Sequence, residues 1–385
     1  MKDIAFRSPA RIEIGLGKLG KLREVLAQRG LQRNLLIVDR HVRETGLVDP
    51  LLADLKELSI SFELFDGIEK EPTVREFDAM VAQFGQARSF EAVIGIGGGS
   101  ALDVAKILSV SENFAGSVKG YFAAKAIDRR ERYLALIPTT SGTGSEATPN
   151  AVLNDEEDRC KRAIVSDCLI PDLAIIDPAL TFSLPPRMTA ETGMDAFTHG
   201  IECFIGKKSN VLSDLFALEA VRLSAGNLRK VMADGRDGGA RYNMALASLY
   251  GGIAIANSGT GGVHALAYPL GGEYGVGHGL SNSILLAEVM EFNAQAVPER
   301  FLEIGKALGL SQPGTGMEQK VGRVLEEIRN LIRDVDIKLD NVRFTESQID
   351  GLAKSAMSVE RLLANNPCPI GLEDARRIYR RALLS

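Results

Sequence analysis

The chain has 385 residues, 45% hydrophobic and 25% charged, with a formal net charge of −5. That length supports large buried cores and most naturally two domains, while the acidic balance without a long basic run excludes a nucleic-acid face and a polybasic membrane patch. Met1–Arg7 lack the apolar core of a signal peptide, no apolar stretch spans a bilayer, and cysteines 160, 168, 203 and 368 show no paired spacing, so a cytoplasmic protein with reduced thiols is expected.

In chain order, Asn34–Val38 is a short β-branched run that predicts a strand, Val48–Leu58 predicts a helix, and Glu91–Ile96 predicts a second strand. This alternation predicts a layered α/β domain with a largely parallel sheet. Asp39 follows the first strand directly. A carboxylate there can accept hydrogen bonds from an adenosine ribose and repel a 2′-phosphate, which favours NAD over NADP; a solvated loop Asp is the alternative. After the second strand, Gly97-Gly98-Gly99-Ser100 leads into an amphipathic helix whose exposed amides can bind phosphate. Leu136–Thr148 then concentrates hydroxyls and glycines, suited to ribose, amide and phosphate groups. Neither segment has the G-x-G-x-x-G or G-x-x-x-x-G-K-[ST] spacing.

Strand signals become scarce after Leu173–Pro178, and segments such as Asp214–Met232 and Gly239–Ala256 have helical periodicity. The expected division is an α/β domain over residues 1–180 and a helical domain over residues 181–385, with a cleft between them for cofactor and substrate. The helical half carries three of the four histidines in motif-like contexts. Asp195 and His199 are four residues apart, in a segment expected to become helical after Gly193, so both side chains share one face. His264 and His278 lie in a glycine-rich run, read as a loop that folds His278 back toward His264. One carboxylate and three imidazoles suit a divalent metal of mixed oxygen and nitrogen ligation.

Four motifs together resemble the iron-containing (group III) alcohol dehydrogenases: Gly97–Ser100 with Asp103 and Lys106; Pro138-Thr139-Thr140 with Gly142–Glu146; Gly193–Ala196 with His199 and Glu202; and His264 through His278-Gly279. The resemblance covers nearly the whole chain. It implies an N-terminal dinucleotide-binding α/β domain and an all-α C-terminal domain, the architecture shared with dehydroquinate synthase. Asp195, His199, His264 and His278 are then the metal ligands, for Fe(II) or Zn(II). Gly97, Gly98, Gly99 and Ser100 hold the pyrophosphate of NAD; Thr139, Thr140 and Ser145 line the nucleotide site, Asp39 and Lys161 match positions near the ribose groups, and Asp103 belongs to the same cofactor-binding set. A homodimer is also implied.

Two positions depart from the family pattern. Tyr268 stands where many members carry a second histidine before Pro269, so a histidine proton relay does not transfer; Tyr268 either moves a proton or closes the pocket by packing. Glu71 stands where many carry Asn; it either alters cofactor contacts or simply faces solvent, the reading favoured here. The implied reaction is reversible hydride transfer between NAD(H) and a small primary or secondary alcohol or aldehyde. A hydroxyacid-oxoacid transhydrogenase and a dehydroquinate synthase-like lyase are the alternatives.

Overall fold

A computed structural model describes residues 3–85, 90–122, 127–311, 316–339 and 343–384. Its strands are β1 (Arg11–Ile14), β2 (Arg33–Asp39), β3 (Ser61–Ile68), β4 (Ala92–Gly97), β5 (Tyr133–Pro138), β6 (Asn150–Asp155), β7 (Cys160–Val165) and β8 (Leu173–Ile176). Interleaved with them are α1 (Lys21–Arg29), α2 (Arg40–Glu44), α3 (Asp49–Glu57), α4 (Val74–Phe84) and α5 (Gly99–Ser109). No strand follows β8 among the described residues. That half is built from α6 (Pro186–Ile205), α7 (Val211–Ala233), α8 (Gly238–Ser258), α9 (Gly262–Tyr274), α10 (His278–Ala294), α11 (Pro298–Ala307), α12 (Met317–Asp334), α13 (Glu346–Met357), α14 (Glu360–Asn365) and α15 (Leu372–Leu383). The chain falls into two compact units: Arg7–Thr140 with Gly144–Ser183, and the residues from Leu184 onward with Ser141–Thr143 and the segment up to Phe6.

In the first unit, a six-stranded sheet of order β1-β8-β5-β4-β2-β3 is parallel throughout. Alternation along the strands sends side chains into two separate cores. Leu35, Ile37, Val93 and Leu136 pack with Phe77 of α4 and Leu102 of α5, whereas Leu36, Val38, Ile94 and Ile137 pack with Leu22 of α1 and Leu55 of α3. With both faces covered, these strands read as continuous apolar runs. The chain leaves β2 toward β3 on one side and leaves β4 toward β5 on the other. Parallel sheets of this kind form a ligand crevice at such a reversal, outside the carboxyl ends of the two strands. Asp39 and Gly97 occupy those ends.

The structure revises the sequence reading at four places. The helix after the glycine turn is not amphipathic, since Ala101–Ser109 are all buried. The hairpin β6–β7, antiparallel from Asn150↔Val165 to Asp155↔Cys160, was not anticipated; its connection, Glu156–Arg159, lacks the Asn-Gly or Asp-Gly signature of tight hairpins. The glycine-rich run from 262 is not a loop but the pair α9 and α10, joined through Gly275 with φ +67. Burial of nearly the whole first half of α9 overrides the low helix propensity of its glycines. α6 likewise begins at Pro186, and Gly193 lies buried in its interior.

Candidate metal centre and dinucleotide site

Three helices of the second unit carry the metal candidates. Asp195 and His199 project from one face of α6, His264 from the first turn of α9, and His278 is the first residue of α10. One ligand atom from each lies within 4.8 Å of those of the other three. Asp195 Oδ1 is 3.5 Å from His199 Nε2, 3.8 Å from His264 Nε2 and 3.6 Å from His278 Nε2. Asp195, His199 and His264 are buried, and the His278 side chain is 30% exposed, so the cluster is approached from the His278 side.

Two of the imidazoles are held from behind. His264 Nδ1 donates to Glu202 Oε2 at 2.5 Å, and Glu202 Oε1 accepts the Val263 amide at 2.6 Å. His199 Nδ1 donates to the Gly142 carbonyl at 3.2 Å. These acceptors place the ring hydrogen on Nδ1 and leave the lone pair on Nε2. The two Nε2 atoms are 2.9 Å apart, so two lone pairs face one another with a carboxylate beside them, an arrangement a bound cation relieves. Burial lowers the His199 pKa, with Asp195 opposing. Burial pushes the Asp195 pKa up, but the three imidazoles and a hydrogen bond from Asn282 outweigh it and hold the carboxyl below its ordinary value. One oxygen and three neutral nitrogens fit Fe(II) or Zn(II). Tyr268, buried on α9 one turn beyond His264, has its ring centroid 6.3 Å from that of His278.

The dinucleotide candidates belong to the first unit. Gly97 ends β4, Gly98 precedes α5 without a side-chain cap, and Gly99 and Ser100 open the helix. A Cβ on Gly97 would stand 2.7 Å from Asp39 Cβ and 2.8 Å from Ala101 Cβ, so the close approach of β2 and α5 requires glycine there. Asp39 accepts from the His41 and Val42 amides and thereby caps α2. Thr139 donates its amide to Gly97 O at 2.9 Å, and Thr140 is half-buried beside it.

Asp103 and Ser145 point inward. Ser145 Oγ donates to Asp103 Oδ1 at 2.6 Å; Lys106 Nζ donates to Ser145 Oγ at 2.8 Å, Thr148 Oγ1 at 3.0 Å and Asn150 O at 2.7 Å. Burial disfavours both charges, pushing the Asp103 pKa up and the Lys106 pKa down, while their mutual attraction opposes this. Next to them, burial raises Glu146 to about 7. Lys161 is buried and ion-paired with Glu71, whose side chain is 25% exposed, so Glu71 does not simply face solvent. The supporting roles of Glu202 and Gly142 were not read from sequence, although both belong to the quoted motifs.

Residues 9–178 match the iron-containing alcohol dehydrogenase family, and residues 189–383 match its C-terminal domain. The chain is 38% identical to long-chain-alcohol dehydrogenase 1 of Geobacillus thermodenitrificans (strain NG80-2) over 379 residues, covering 97% of this chain and 95% of that one. Among solved structures, a 1,3-propanediol oxidoreductase superposes with TM-score 0.93 at 31% identity, covering 99% of this chain and 100% of the other. Sulfoacetaldehyde reductase from Bifidobacterium kashiwanohense, solved in complex with NAD+, superposes with TM-score 0.88 at 27% identity and covers 99% of both chains. With both of its units matched, the chain belongs to the iron-containing alcohol dehydrogenases, oxidoreductases of alcohols and aldehydes, as its motifs led us to expect.

Proposed function

We propose that the protein is a metal-dependent, NAD-linked alcohol dehydrogenase acting on small primary or secondary alcohols and the corresponding aldehydes. The convergence of Asp195, His199, His264 and His278 carries this reading. These four residues hold a divalent ion, Fe(II) in line with the family, and one carboxylate with three neutral imidazoles leaves it a net charge near +1. When bound, the ion supplies Lewis acidity at the substrate oxygen and NAD supplies the hydride acceptor.

Glu202 and the Gly142 carbonyl keep the His264 and His199 lone pairs directed at the common centre. Gly97–Ser100 offer backbone amides to the pyrophosphate, and Thr139 and Thr140 border the same turn. Asp39 receives the adenosine ribose, and its negative charge disfavours a 2′-phosphate. Lys161 with Glu71 addresses ribose hydroxyls. Asp103, Lys106 and Ser145 tie α5 to the segment from Ser145 to Val152. Tyr268 closes the His278 side by packing.

NADH oxidation by protein reconstituted anaerobically with Fe(II), across a panel of short aldehydes with Zn(II) and NADPH in parallel, tests the reading. Metal-dependent oxidation supports it. A protein that binds metal and nucleotide but oxidises no NADH with any aldehyde defeats it in favour of a transhydrogenase or a lyase.

A further inference from the structure

Asn282 is fully buried on α10, one helical turn beyond His278. Its side-chain nitrogen lies 2.8 Å from Asp195 Oδ1, 3.2 Å from His264 Nε2 and 3.3 Å from His278 Nε2. Its amide oxygen is also buried and has no hydrogen-bond partner. The opposite amide orientation would set that oxygen 2.8 Å from a carboxylate oxygen, two acceptors with no hydrogen between them. Asp195 therefore dictates the orientation, and the amide oxygen is left unsatisfied. An orphaned buried carbonyl disfavours folding, so what the asparagine contributes in return is its hydrogen bond to the buried Asp195 carboxylate.

We infer that Asn282 is a positioning residue for the metal: it donates to Asp195 Oδ1, the same oxygen that faces the three imidazole nitrogens, and fixes the carboxylate rotamer that completes the ligand set. The hydrogen bond selects the orientation in which Oδ1 lies 3.5–3.8 Å from all three Nε2 atoms. It also draws negative charge from that oxygen, which keeps a bound cation more electrophilic. Glu202 for His264, Gly142 for His199 and Asn282 for Asp195 thus form a supporting shell in which three of the four ligands are held by a partner distant in sequence. The inference rests on the proposed metal site.

Asn282→Leu and Asn282→Ala test it, with metal affinity of the purified full chain measured by chelator competition and elemental analysis, and the visible spectrum of the Co(II)-loaded protein recorded alongside. Leucine fills the volume, so a packing role is rescued by Asn282→Leu and a positioning role is not. The expected result is an Asn282→Leu protein that folds with wild-type helical content, binds metal about 10- to 100-fold more weakly and shows altered Co(II) bands. Wild-type affinity and spectrum in Asn282→Leu overturn the inference, even if Asn282→Ala fails to fold. A wild-type protein that retains no metal defeats the proposed site itself, which separates the two failures.

Discussion

The carboxylate of Glu71 forms an ion pair with the buried ammonium of Lys161. The pair is set by tertiary geometry: the Glu71 carbonyl accepts from Asn154 of β6, and Lys161 projects from β7, so the hairpin joins the segment before α4. In the cofactor site proposed above, Glu71 would compensate the charge that Lys161 would otherwise offer to an added phosphate. Glu71→Gln removes the compensation and keeps the shape. It is expected to shift the ratio of kcat/KM for NADPH over NADH upward by about tenfold, equivalent to about 1.4 kcal/mol, measured with one aldehyde and both cofactors. An unchanged ratio places the pair outside cofactor choice.

Glu202 grips His264 through one oxygen and the Val263 amide through the other. Glu202→Gln cannot accept at both atoms and removes the negative charge behind the imidazole. Losing such a partner weakens metal affinity about 10- to 100-fold, read as metal remaining per chain after dialysis against a graded chelator series. Full retention by the variant removes Glu202 from the supporting shell.

Much of the fold was legible because local patterns agreed with the final packing. β2, β4 and β5 are apolar on both faces and announce themselves as runs, and the Ala/Leu-rich stretches became α7 and α8. The convergence of Asp195, His199, His264 and His278 was legible because histidine is scarce in this chain and Asp195 and His199 lie one turn apart. The supporting residues were not. His199–Gly142, His264–Glu202 and Asp195–Asn282 each join residues more than fifty positions apart, a juxtaposition no local period reveals. The glycines from 262 to 279 misled because glycine suggests a loop, whereas here it admits neighbouring chain into helix contacts.

Glu146 is buried with Oε2 lacking a partner, and burial raises its pKa from 4.5 to about 7. For an acid whose folded value is raised, the folded state favours the protonated form. Relative stability is therefore greatest below the unfolded value near 4.5 and falls as pH rises through about 7. The full difference is on the order of 3 kcal/mol. Glu146→Gln removes this dependence: its melting temperature should exceed wild type at pH 8, with the gap closing toward pH 4.5. Scans by differential calorimetry in matched buffers check it, and a gap of constant size across that range rejects the assignment.

Tyr268 lies beside His278, the most exposed of the four metal candidates, and is itself buried. Packing predicts that Tyr268→Phe keeps kcat within about twofold, less than 0.5 kcal/mol of barrier, with the pH–rate profile unchanged. Loss of one limb of the profile together with a fall in kcat at neutral pH would instead assign the phenol a proton-transfer step.

Gly279 follows His278 at the start of α10, and a Cβ there would stand 2.2 Å from the Glu191 carbonyl oxygen and 2.7 Å from its carbon. Both are backbone atoms of α6, so no side-chain rotation relieves the clash. α6 carries Asp195 and His199 one and two turns further along, while α10 carries His278, so the first turn of α10 must move away from α6 when any side chain is added. Displacing His278 from Asp195 by even 1 Å breaks the ligand distances. Gly279→Ala should therefore lose metal by elemental analysis more completely than it loses helical content by circular dichroism, since the rest of α10 keeps its packing through Leu285, Leu286 and Val289. Quantitative metal retention with an unshifted melting temperature would show that the two helices separate without cost, and that their contact does not set the site.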